Sequence, residues 1–553
     1  MLTKTIRAFS AAMAILLIAT MAAACSGNGN QNESGGDGAS NAPATANTGN
    51  GGTAAPEENA KISDKKRTVK VLIKDSPNQP LKNGTVVQKE ILNRTNIDVQ
   101  LEAVPNSNYD DKKKTLLATN NLPDITIINQ QDVTDYSSTG IFLPLMDYMK
   151  EGMLPNFKKH WDALPELKKL TVDGELYAFP AIARNEAKNG SGPVIRMDLL
   201  EANNLEVPKT FDELLTVLKK LKEIYPDSHP WTIRKGTQQL LSTTAYSLGT
   251  GNGIYFDKDV DGGRYVFGPA TEAFKNMLGY FNEAYKSGVL DPDYAVMTSQ
   301  LWKEKLTSGK SFFFFDNSGF AMDDTRALRK TEPDAKFQII PVPEYDSGKA
   351  RATYFATKFS TDTQFAINSQ AKDPETLLKF IDWMYSEEAS NLTNFGIEGE
   401  NYELDDQGQP VFKKEFVDPF KDGQPTPYYA VYTELGTGKL NFTPWFANTM
   451  TWFQIDKLTG TWDDLNEEYW SIINADDSYV DPTMDPPLTQ EESARVKELL
   501  LPLNTMLEQE YDKFIMGAKP IGEYDKVIEK ARGMGADELE QIYNGALERL
   551  ASM

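Results

Sequence analysis

The sequence predicts an α/β protein built from at least two lobes. From Thr68 to Ile128, apolar residues alternate as in a strand, then recur at helical spacing, then alternate again. The short apolar run Ile125–Ile128 suits a parallel strand that is buried on both faces. The chain has 553 residues, of which 40% are apolar, and this is enough to bury the cores of two lobes or more.

The N-terminal residues predict secretion and lipid attachment. Lys4 and Arg7 precede an almost wholly apolar stretch, Ala8–Ala24, as in secretory signals. The stretch ends at Cys25, the only cysteine, and the small residues before it resemble the lipobox of bacterial lipoproteins, although Ala22 stands where leucine is more usual. This resemblance implies cleavage before Cys25 and acylation of that cysteine. An uncleaved membrane anchor is the alternative.

The segment after Cys25 predicts a flexible tether. Residues 26 to about 61 are rich in Gly, Asn, Ala, Ser and Thr, so they cannot bury enough apolar surface to fold. A chain that begins with an acylated cysteine has no free thiol, which excludes disulfides, thiolate metal sites and cysteine nucleophiles. Loss of residues 1–24 removes two basic residues, so 55 basic residues remain against 80 acidic ones. This acidity disfavours nucleic acid and anionic lipid as partners, and leaves the lipid anchor as the membrane contact.

The predicted elements of the first lobe follow in order from residue 67. Strands are predicted at Thr68–Lys74, Ile97–Leu101 and Ile125–Ile128, and helices at Val86–Arg94 and Tyr109–Ala118. A loop is predicted at Asn129–Tyr136, where a ligand would meet the carboxyl ends of the strands. The turn at Asp173–Gly174 leads into an extended segment in which Phe179 is predicted to point inward and Tyr177 to be open to a ligand.

An acidic loop in the middle of the chain raises the question of a metal. Asp257, Asp259 and Asp261, followed by Gly262, repeat the first half of an EF-hand calcium loop. The twelfth position of such a loop needs a bidentate Glu, but here it is Gly268. The flanking residues predict the two strands of a hairpin, so a plain Asp-Gly turn is the favoured interpretation and a structural calcium ion is the alternative. No other cofactor is expected.

The remaining elements of the second half are predicted from capping signals and apolar stripes. Helices are predicted after Thr210, over Thr271–Tyr285, after Asp373-Pro374 and over Val496–Phe514, where Pro502 could introduce a kink. The aromatic run Phe312–Phe315 predicts a buried strand, which would deliver Asp316 and Asn317 at its carboxyl end. These two residues are therefore candidates for a ligand cleft.

The inventory of reactive residues argues against most enzymes. Only His160 and His229 exist, both predicted to lie on the surface, so catalytic triads and histidine-based metalloenzymes lack their parts. No phosphate-binding motif of the Walker or GxGxxG type follows the first strand. Paired carboxylates for glycoside hydrolysis are not visible in a sequence, so that enzyme class stays open. Aromatic residues make up 10% of the chain, and Trp231 and Trp445 are predicted to line a sugar-binding groove, with core packing as the alternative.

Several sequence blocks and their order resemble a known family over nearly the whole chain. The blocks are Leu122–Asp124, Asp173–Tyr177, Arg196–Asp198, Val207–Phe211, Gly288–Pro292, Asp373–Glu388, Asn394–Tyr402, Phe514–Gly517 and Tyr543–Ala546. They are similar to extracellular solute-binding lipoproteins of carbohydrate-type ABC importers, in the subgroup called LplA-like. The blocks that begin at Asp373, Asn394, Phe514 and Tyr543 are the most specific to that subgroup.

This resemblance implies a type II periplasmic-binding-protein-like fold. Each lobe would hold a mixed, mostly parallel sheet flanked by helices, with hinge strands between the lobes. The protein would be a monomer that is lipid-anchored to the outer face of the membrane, on a Gram-positive cell surface. It would capture a sugar or oligosaccharide and present it to the membrane subunits of the importer, without catalysis. The alternatives are a surface-anchored carbohydrate-active enzyme and a carbohydrate sensor or adhesin that does not transport.

The resemblance also implies domain boundaries, but it does not fix the ligand contacts. Residues 1–24 would be the signal peptide and 25–66 the lipidated cysteine with its tether. The N-terminal lobe would comprise 67–184 and about 358–430, and the C-terminal lobe 185–357 and about 431–553, with crossings near Arg184 and near Phe355–Phe365. The candidate ligand-binding residues, taken from predicted cleft loops, are Tyr177, Arg184, Asn185, Trp231, Asp316, Asn317, Glu398 and Trp445.

Overall fold

The computed structural model describes residues 61–76, 79–183, 190–354, 358–406, 408–421, 427–437, 447–448 and 462–551. The signal peptide, Cys25 and most of the predicted tether lie outside these residues. In the part of the chain that is described, no helix is long and apolar enough to cross a bilayer.

The described residues form strands and helices that alternate along most of the chain. The strands are β1 (Arg67–Asp75), β2 (Ile97–Pro105), β3 (Ile125–Ile128), β4 (Phe179–Ala183), β5 (Ser191–Arg196), β6 (Ile254–Asp257), β7 (Arg264–Phe267), β8 (Phe313–Asn317), β9 (Phe337–Ile339), β10 (Ala352–Thr353), β11 (Phe359–Ile367), β12 (Tyr402–Leu404), β13 (Pro410–Phe412), β14 (Ala447–Asn448) and β15 (Tyr479–Val480). The helices are α1 (Val86–Thr95), α2 (Asn106–Ala118), α3 (Gln130–Tyr136), α4 (Met146–Lys150), α5 (Pro155–Ala163), α6 (Met197–Ala202), α7 (Phe211–Ile224), α8 (Gly236–Thr244), α9 (Glu272–Lys286), α10 (Ser299–Thr307), α11 (Phe320–Leu328), α12 (Pro374–Met384), α13 (Glu387–Phe395), α14 (Lys414–Lys421), α15 (Pro427–Leu435), α16 (Asp464–Ala475), α17 (Gln490–Ile515), α18 (Tyr524–Gly533) and α19 (Ala536–Ala551).

The first sheet has six strands in the order β14-β4-β11-β3-β1-β2. Strand β1 pairs in parallel with β2 and β3, while β11 pairs antiparallel with both β3 and β4. Strand β14 is parallel to β4, so β11 alone runs against the other five. The predicted strand–helix–strand start of the chain is confirmed, and all four residues of β3 are buried, as expected for a strand covered on both faces.

The second sheet repeats this arrangement with fewer regular strands. Strand β5 pairs antiparallel with β8 on one side and with β9 on the other. Beyond β8, Trp231 forms parallel bridges to Phe313 of β8 and to Leu290. Strand β5 is therefore the one antiparallel member. Both β5 and β11 follow segments, 184–189 and 355–357, that lie outside the described residues.

Two separate apolar cores accompany the two sheets. One contains the buried residues of β1, β3, β4 and β11, and the other those of β5, β8, α7, α9 and α17. Helices α17 to α19 contribute to the second core. Val431 and Leu435 of α15 and Trp470 of α16 belong to the first core, which therefore continues past the boundary predicted near residue 430.

Local signals in the sequence explain most element boundaries. Thr210 accepts a hydrogen bond from the backbone N–H of Glu213, and Asp373 does the same for Thr376, so both predicted caps are confirmed. The β6–β7 hairpin is also confirmed. The loop predicted at Asn129–Tyr136 was wrong: Asn129 and Asp132 cap each other's backbone N–H groups and begin α3. Helix α17 is 26 residues long and continues through Pro502.

Candidate functional site

The carboxyl edges of the two sheets are connected by a short stretch of chain. In the second sheet, β5 begins beside the end of β8, and at this edge Gly190 bridges Tyr354. In the first sheet, Phe359 pairs with Ile182 near the carboxyl end of β4. Tyr354 lies at the edge of the second sheet and Phe359 at the edge of the first. Only five residues of chain separate them, so the two positions are at most about 18 Å apart. We call the space between these edges the interlobe cleft.

The edge of the second sheet carries a buried ion pair. Trp231 pairs in parallel with Phe313. Arg234 and Asp316 each lie three residues after this pair, so they lie opposite each other. Arg234 donates to Asp316 through Nε at 3.1 Å and through Nη2 at 3.0 Å, and Gln239 donates to the same carboxylate at 3.2 Å. The side chain of Asp316 is 4% exposed and that of Arg234 is 17% exposed.

Arg234 has the chemistry of a ligand contact. Its guanidinium lies 5.3 Å from the ring centroid of Phe320, at the start of α11. A guanidinium has five N–H donors, and the two that bind Asp316 leave three for another partner. A guanidinium donates hydrogen bonds to hydroxyl oxygens, and an aromatic ring packs against a flat apolar face of a ligand.

The edge of the first sheet is built around Lys113 of α2. Its Nζ lies 2.6 Å from Asp132 and 3.0 Å from Asp110, and its side chain is 4% exposed. Burial alone would lower the pKa of Lys113, but the two carboxylates outweigh it and raise the pKa. The hydroxyl of Tyr109 donates to the carbonyl oxygen of Ile127 at 2.7 Å, which ties α2 to the end of β3.

Lys74, near the carboxyl end of β1, is a cation of this edge that has no ion pair among the described residues. Its Nζ lies 5.4 Å from the ring centroid of Tyr109. No described carboxylate lies within ion-pair distance of it, and burial lowers its pKa despite the nearby charge of Asp110. A half-buried ammonium without an anionic partner is available to donate to a ligand.

Three of the predicted ligand residues occupy other places. Trp231 is fully buried and packs edge-on against Phe313 at 4.7 Å, so core packing describes it and the predicted groove does not. Tyr177 is partly buried just before β4 begins, at the edge opposite the interlobe cleft. Glu398 is exposed in the turn after α13, where it bridges Tyr402 beside the β12–β13 hairpin.

Two predicted residues do reach the cleft edge, and three lie outside the described residues. Asp316 and Asn317 end β8 as expected, and the side chain of Asn317 accepts a hydrogen bond from the backbone N–H of Gly319 at 3.0 Å. Ligand contact by either residue stays a prediction. Arg184, Asn185 and Trp445 are among the residues that are not described.

The two most suitable cleft residues, Arg234 and Lys74, were absent from the prediction. A signal for each existed. Arg234 follows the apolar stretch Trp231–Ile233, and Lys74 follows the buried Val71–Ile73 of an alternating strand, so both are polar residues at a strand's carboxyl end.

The surface prediction for the two histidines was wrong, since both are half-buried. Nδ1 of His229 is hydrogen-bonded to the carbonyl oxygen of Gly288 at 3.0 Å. The ring of His160 lies 5.7 Å from that of Tyr385, and burial lowers its pKa. Neither has the setting of a catalytic base.

The acidic loop after β6 does not gather its three carboxylates. The side chains of Asp257 and Asp259 lie beside Arg351, while Asp261 lies 3.4 Å from Arg264. Across the described ranges, no group of three or more His, Cys, Asp or Glu side chains is placed to hold a metal ion. Calcium binding by this loop therefore stays the alternative to a plain Asp-Gly turn.

Comparisons with known proteins agree with this architecture. Residues 77–391 match the family described as bacterial extracellular solute-binding protein. The chain is 26% identical to Lipoprotein LipO of Bacillus subtilis (strain 168), over 64% of this chain and 71% of that protein. It is 26% identical to the polygalacturonan/rhamnogalacturonan-binding protein YtcQ of the same strain, over 85% of this chain and 89% of that one.

A solved structure establishes the fold. The Streptococcus pneumoniae ABC-transporter substrate-binding protein FusA in complex with kestose has a TM-score of 0.65 and 20% identity, over 88% of this chain and 100% of that one. At this identity the likeness concerns the fold alone. The fold is the two-lobed, type II solute-binding arrangement that the sequence predicted.

Proposed function

The chain belongs to the family of bacterial extracellular solute-binding proteins, and we propose that it captures a sugar or oligosaccharide in the interlobe cleft for an ABC importer. The observation that carries the proposal is the guanidinium of Arg234 beside the ring of Phe320 at one sheet edge, together with the ammonium of Lys74 at the edge of the other sheet. Guanidinium and ammonium groups donate to sugar hydroxyls while an aromatic ring meets the apolar face of a sugar. The names of YtcQ and FusA, which refer to polysaccharide binding and ABC transport, support the same class of ligand and partner.

The charges at the cleft favour binding over catalysis. Two-carboxylate glycoside hydrolysis requires one protonated carboxyl and one free carboxylate beside the bond. Asp316 is held by Arg234, and Asp110 and Asp132 are held by Lys113. These carboxylates are occupied in ion pairs, which suits a receptor that breaks no bond.

Ligand capture would act through closure of the lobes. A sugar that contacts both Lys74 and Arg234 binds the closed arrangement more tightly than an open one and so shifts the population toward it. An acyl chain on Cys25 and the tether after it would keep the monomeric receptor near the membrane subunits of the importer and raise its effective concentration there.

A ligand screen with a turnover control tests the proposal. The mature chain is incubated with neutral and uronic oligosaccharides, and both its melting temperature and the sugar products are measured. A ligand that raises the melting temperature and is recovered intact supports the receptor. New reducing ends would instead identify a surface-anchored carbohydrate-active enzyme, and a bound sugar without any uptake defect in a deletion strain would identify a sensor or adhesin.

A matched pair of variants then locates the site. Arg234→Lys keeps a positive charge beside Asp316 but loses the bidentate and stacked geometry, so we expect affinity for the ligand to fall about tenfold. Arg532→Lys is the control, because Arg532 is 55% exposed and lies 3.5 Å from Asp537 in the last two helices. Equal affinity in both variants would place the ligand elsewhere.

A further inference from the structure

A cation from a distant part of the chain, Arg351, lies beside the acidic loop after β6. We propose that the guanidinium of Arg351 takes the position that a calcium ion would need between Asp257 and Asp259, so that this loop is held without metal. The proposal concerns the hairpin and is independent of which ligand the cleft binds.

Arg351 lies between the two carboxylates that an ion would have to share. Its Nη1 is 3.6 Å from Oδ1 of Asp257 and 3.7 Å from Oδ2 of Asp259. The side chain of Arg351 is 7% exposed and that of Asp257 is 10% exposed, so these two charges meet away from water, whereas the side chain of Asp259 is 63% exposed. Asp257 also accepts hydrogen bonds from the hydroxyl of Tyr255 at 2.6 Å and from the backbone N–H of Asp259 at 3.0 Å.

The position of Arg351 is fixed by groups outside the acidic loop. Its Nε donates to the carbonyl oxygen of Tyr246 at 2.7 Å. Its guanidinium carbon lies 4.3 Å from the ring centroid of Tyr246 and 5.4 Å from that of Tyr345. Contacts with two rings and a carbonyl hold an arginine firmly, so its charge would remain beside the carboxylates and repel a divalent ion.

The other oxygens that calcium requires are turned elsewhere. Calcium takes six to eight oxygen ligands at about 2.3–2.6 Å. Asp261 has a φ of 48° in the hairpin turn, and its side chain is 77% exposed and directed to Arg264. Gly268 supplies no side-chain oxygen at the twelfth position. The residues present therefore do not fit a calcium ion.

The ion pair also connects the hairpin to the interlobe cleft. Arg351 immediately precedes β10, which pairs in parallel with β15, and Tyr354 then bridges Gly190 at the start of β5. Arg351 therefore joins the acidic loop to the strand that reaches the cleft edge. We infer that the folding of this region is insensitive to calcium chelators.

Calcium titration of the mature full chain tests this inference. Wild-type protein stripped with a chelator should show no heat of binding on addition of CaCl2 and a melting temperature that changes by less than about 1 °C, because a ligand that does not bind cannot stabilise. Arg351→Lys keeps the charge and should remain insensitive. Arg351→Met should melt several degrees lower, and CaCl2 should restore part of the loss by neutralising the two carboxylates that have lost the arginine.

The overturning result is stabilisation of the wild-type protein by CaCl2 that Asp257→Asn abolishes. Arg264→Met is the matched control, since it removes an arginine from the same hairpin whose ion pairs are with Asp261 and Glu540. If Arg351→Met does not fold, the wild-type titration and the Arg351→Lys variant still decide between the guanidinium and the metal.

Discussion

The two edges of the interlobe cleft use charge differently. At the second sheet, Arg234 is bound by Asp316 in a bidentate pair, and the carboxylate also accepts from Gln239. At the first sheet, Lys113 satisfies two carboxylates while Lys74 keeps an unpaired ammonium. One edge thus offers a rigid, neutralised pair, and the other combines such a pair with a free cation.

This difference distinguishes Lys113, whose charge is used within the fold, from Lys74, which is available to a ligand, and from Arg234, which has an ion pair and unused donors. Removing one partner of a buried ion pair leaves the other charge uncompensated, which strongly destabilises the fold. Removing an unpaired lysine leaves no such charge behind. Substitution of Lys113 should therefore lower stability, substitution of Lys74 should lower ligand affinity, and substitution of Arg234 should lower both.

The largest effect is expected for Lys113→Met. The variant leaves Asp132 without its cation in a site where the lysine side chain is 4% exposed, and such losses cost about 3–5 kcal/mol. Urea unfolding measures the change, with Lys114→Met at the exposed neighbouring position as the control. Equal stability of the two variants would contradict the structural role of the buried pair.

Arg234→Met should cost somewhat less, about 2–3 kcal/mol. Asp316 would keep its hydrogen bonds from Gln239 and from the backbone N–H of Asn317, which limits the penalty. The double variant with Asp316→Asn should recover part of the loss, since the amide carries no buried charge. If the double variant is no more stable than Arg234→Met alone, the ion pair is not the cause.

More of the fold than of the site could be predicted from the sequence, because strands and helices follow from local signals. Alternation in Thr68–Lys74, the buried run Ile125–Ile128 and the capping residue Asp373 are local signals, and the structure bears each of them out. The loop expected after β3 failed because the reciprocal caps of Asn129 and Asp132 were not recognised.

The site depends on contacts between distant residues, which a single sequence does not display. Asp316 was predicted, but its partner Arg234 is 82 residues away and is paired only through the register of Trp231 with Phe313. Trp231 was assigned to a groove because its segment lacks clear periodicity, yet it lies in a sheet between two strand neighbours. Burial of an isolated aromatic residue is decided by the tertiary fold.

Asp324 provides an intermediate case between paired and unpaired charges. Among the described residues, its only lysine neighbour is Lys303, whose side chain is 39% exposed. The side chain of Asp324 is fully buried, and this burial raises its pKa to about 6. A carboxyl with a raised pKa in the folded state gives stability below about pH 4, and this stability is lost as the pH rises through about 6. Asp324→Asn should therefore gain about 2 kcal/mol relative to wild type at pH 7.5 and little at pH 4. A gain that is the same at both pH values would exclude titration of Asp324 as its source.

Lys74→Met should have the smallest effect on stability and a clear effect on binding. Without an ion pair to break, its unfolding free energy should stay within about 0.5 kcal/mol of wild type, while ligand affinity falls about tenfold. Lys70→Met, at an exposed position of the same strand, is the control. Burial lowers the pKa of Lys74, so wild-type affinity should decline at a pH below the usual range for lysine, and the affinity of Lys74→Met should not. Deprotonation of a buried lysine favours the folded state, so this decline cannot arise from unfolding through Lys74, and it identifies the ammonium as the group that the ligand meets.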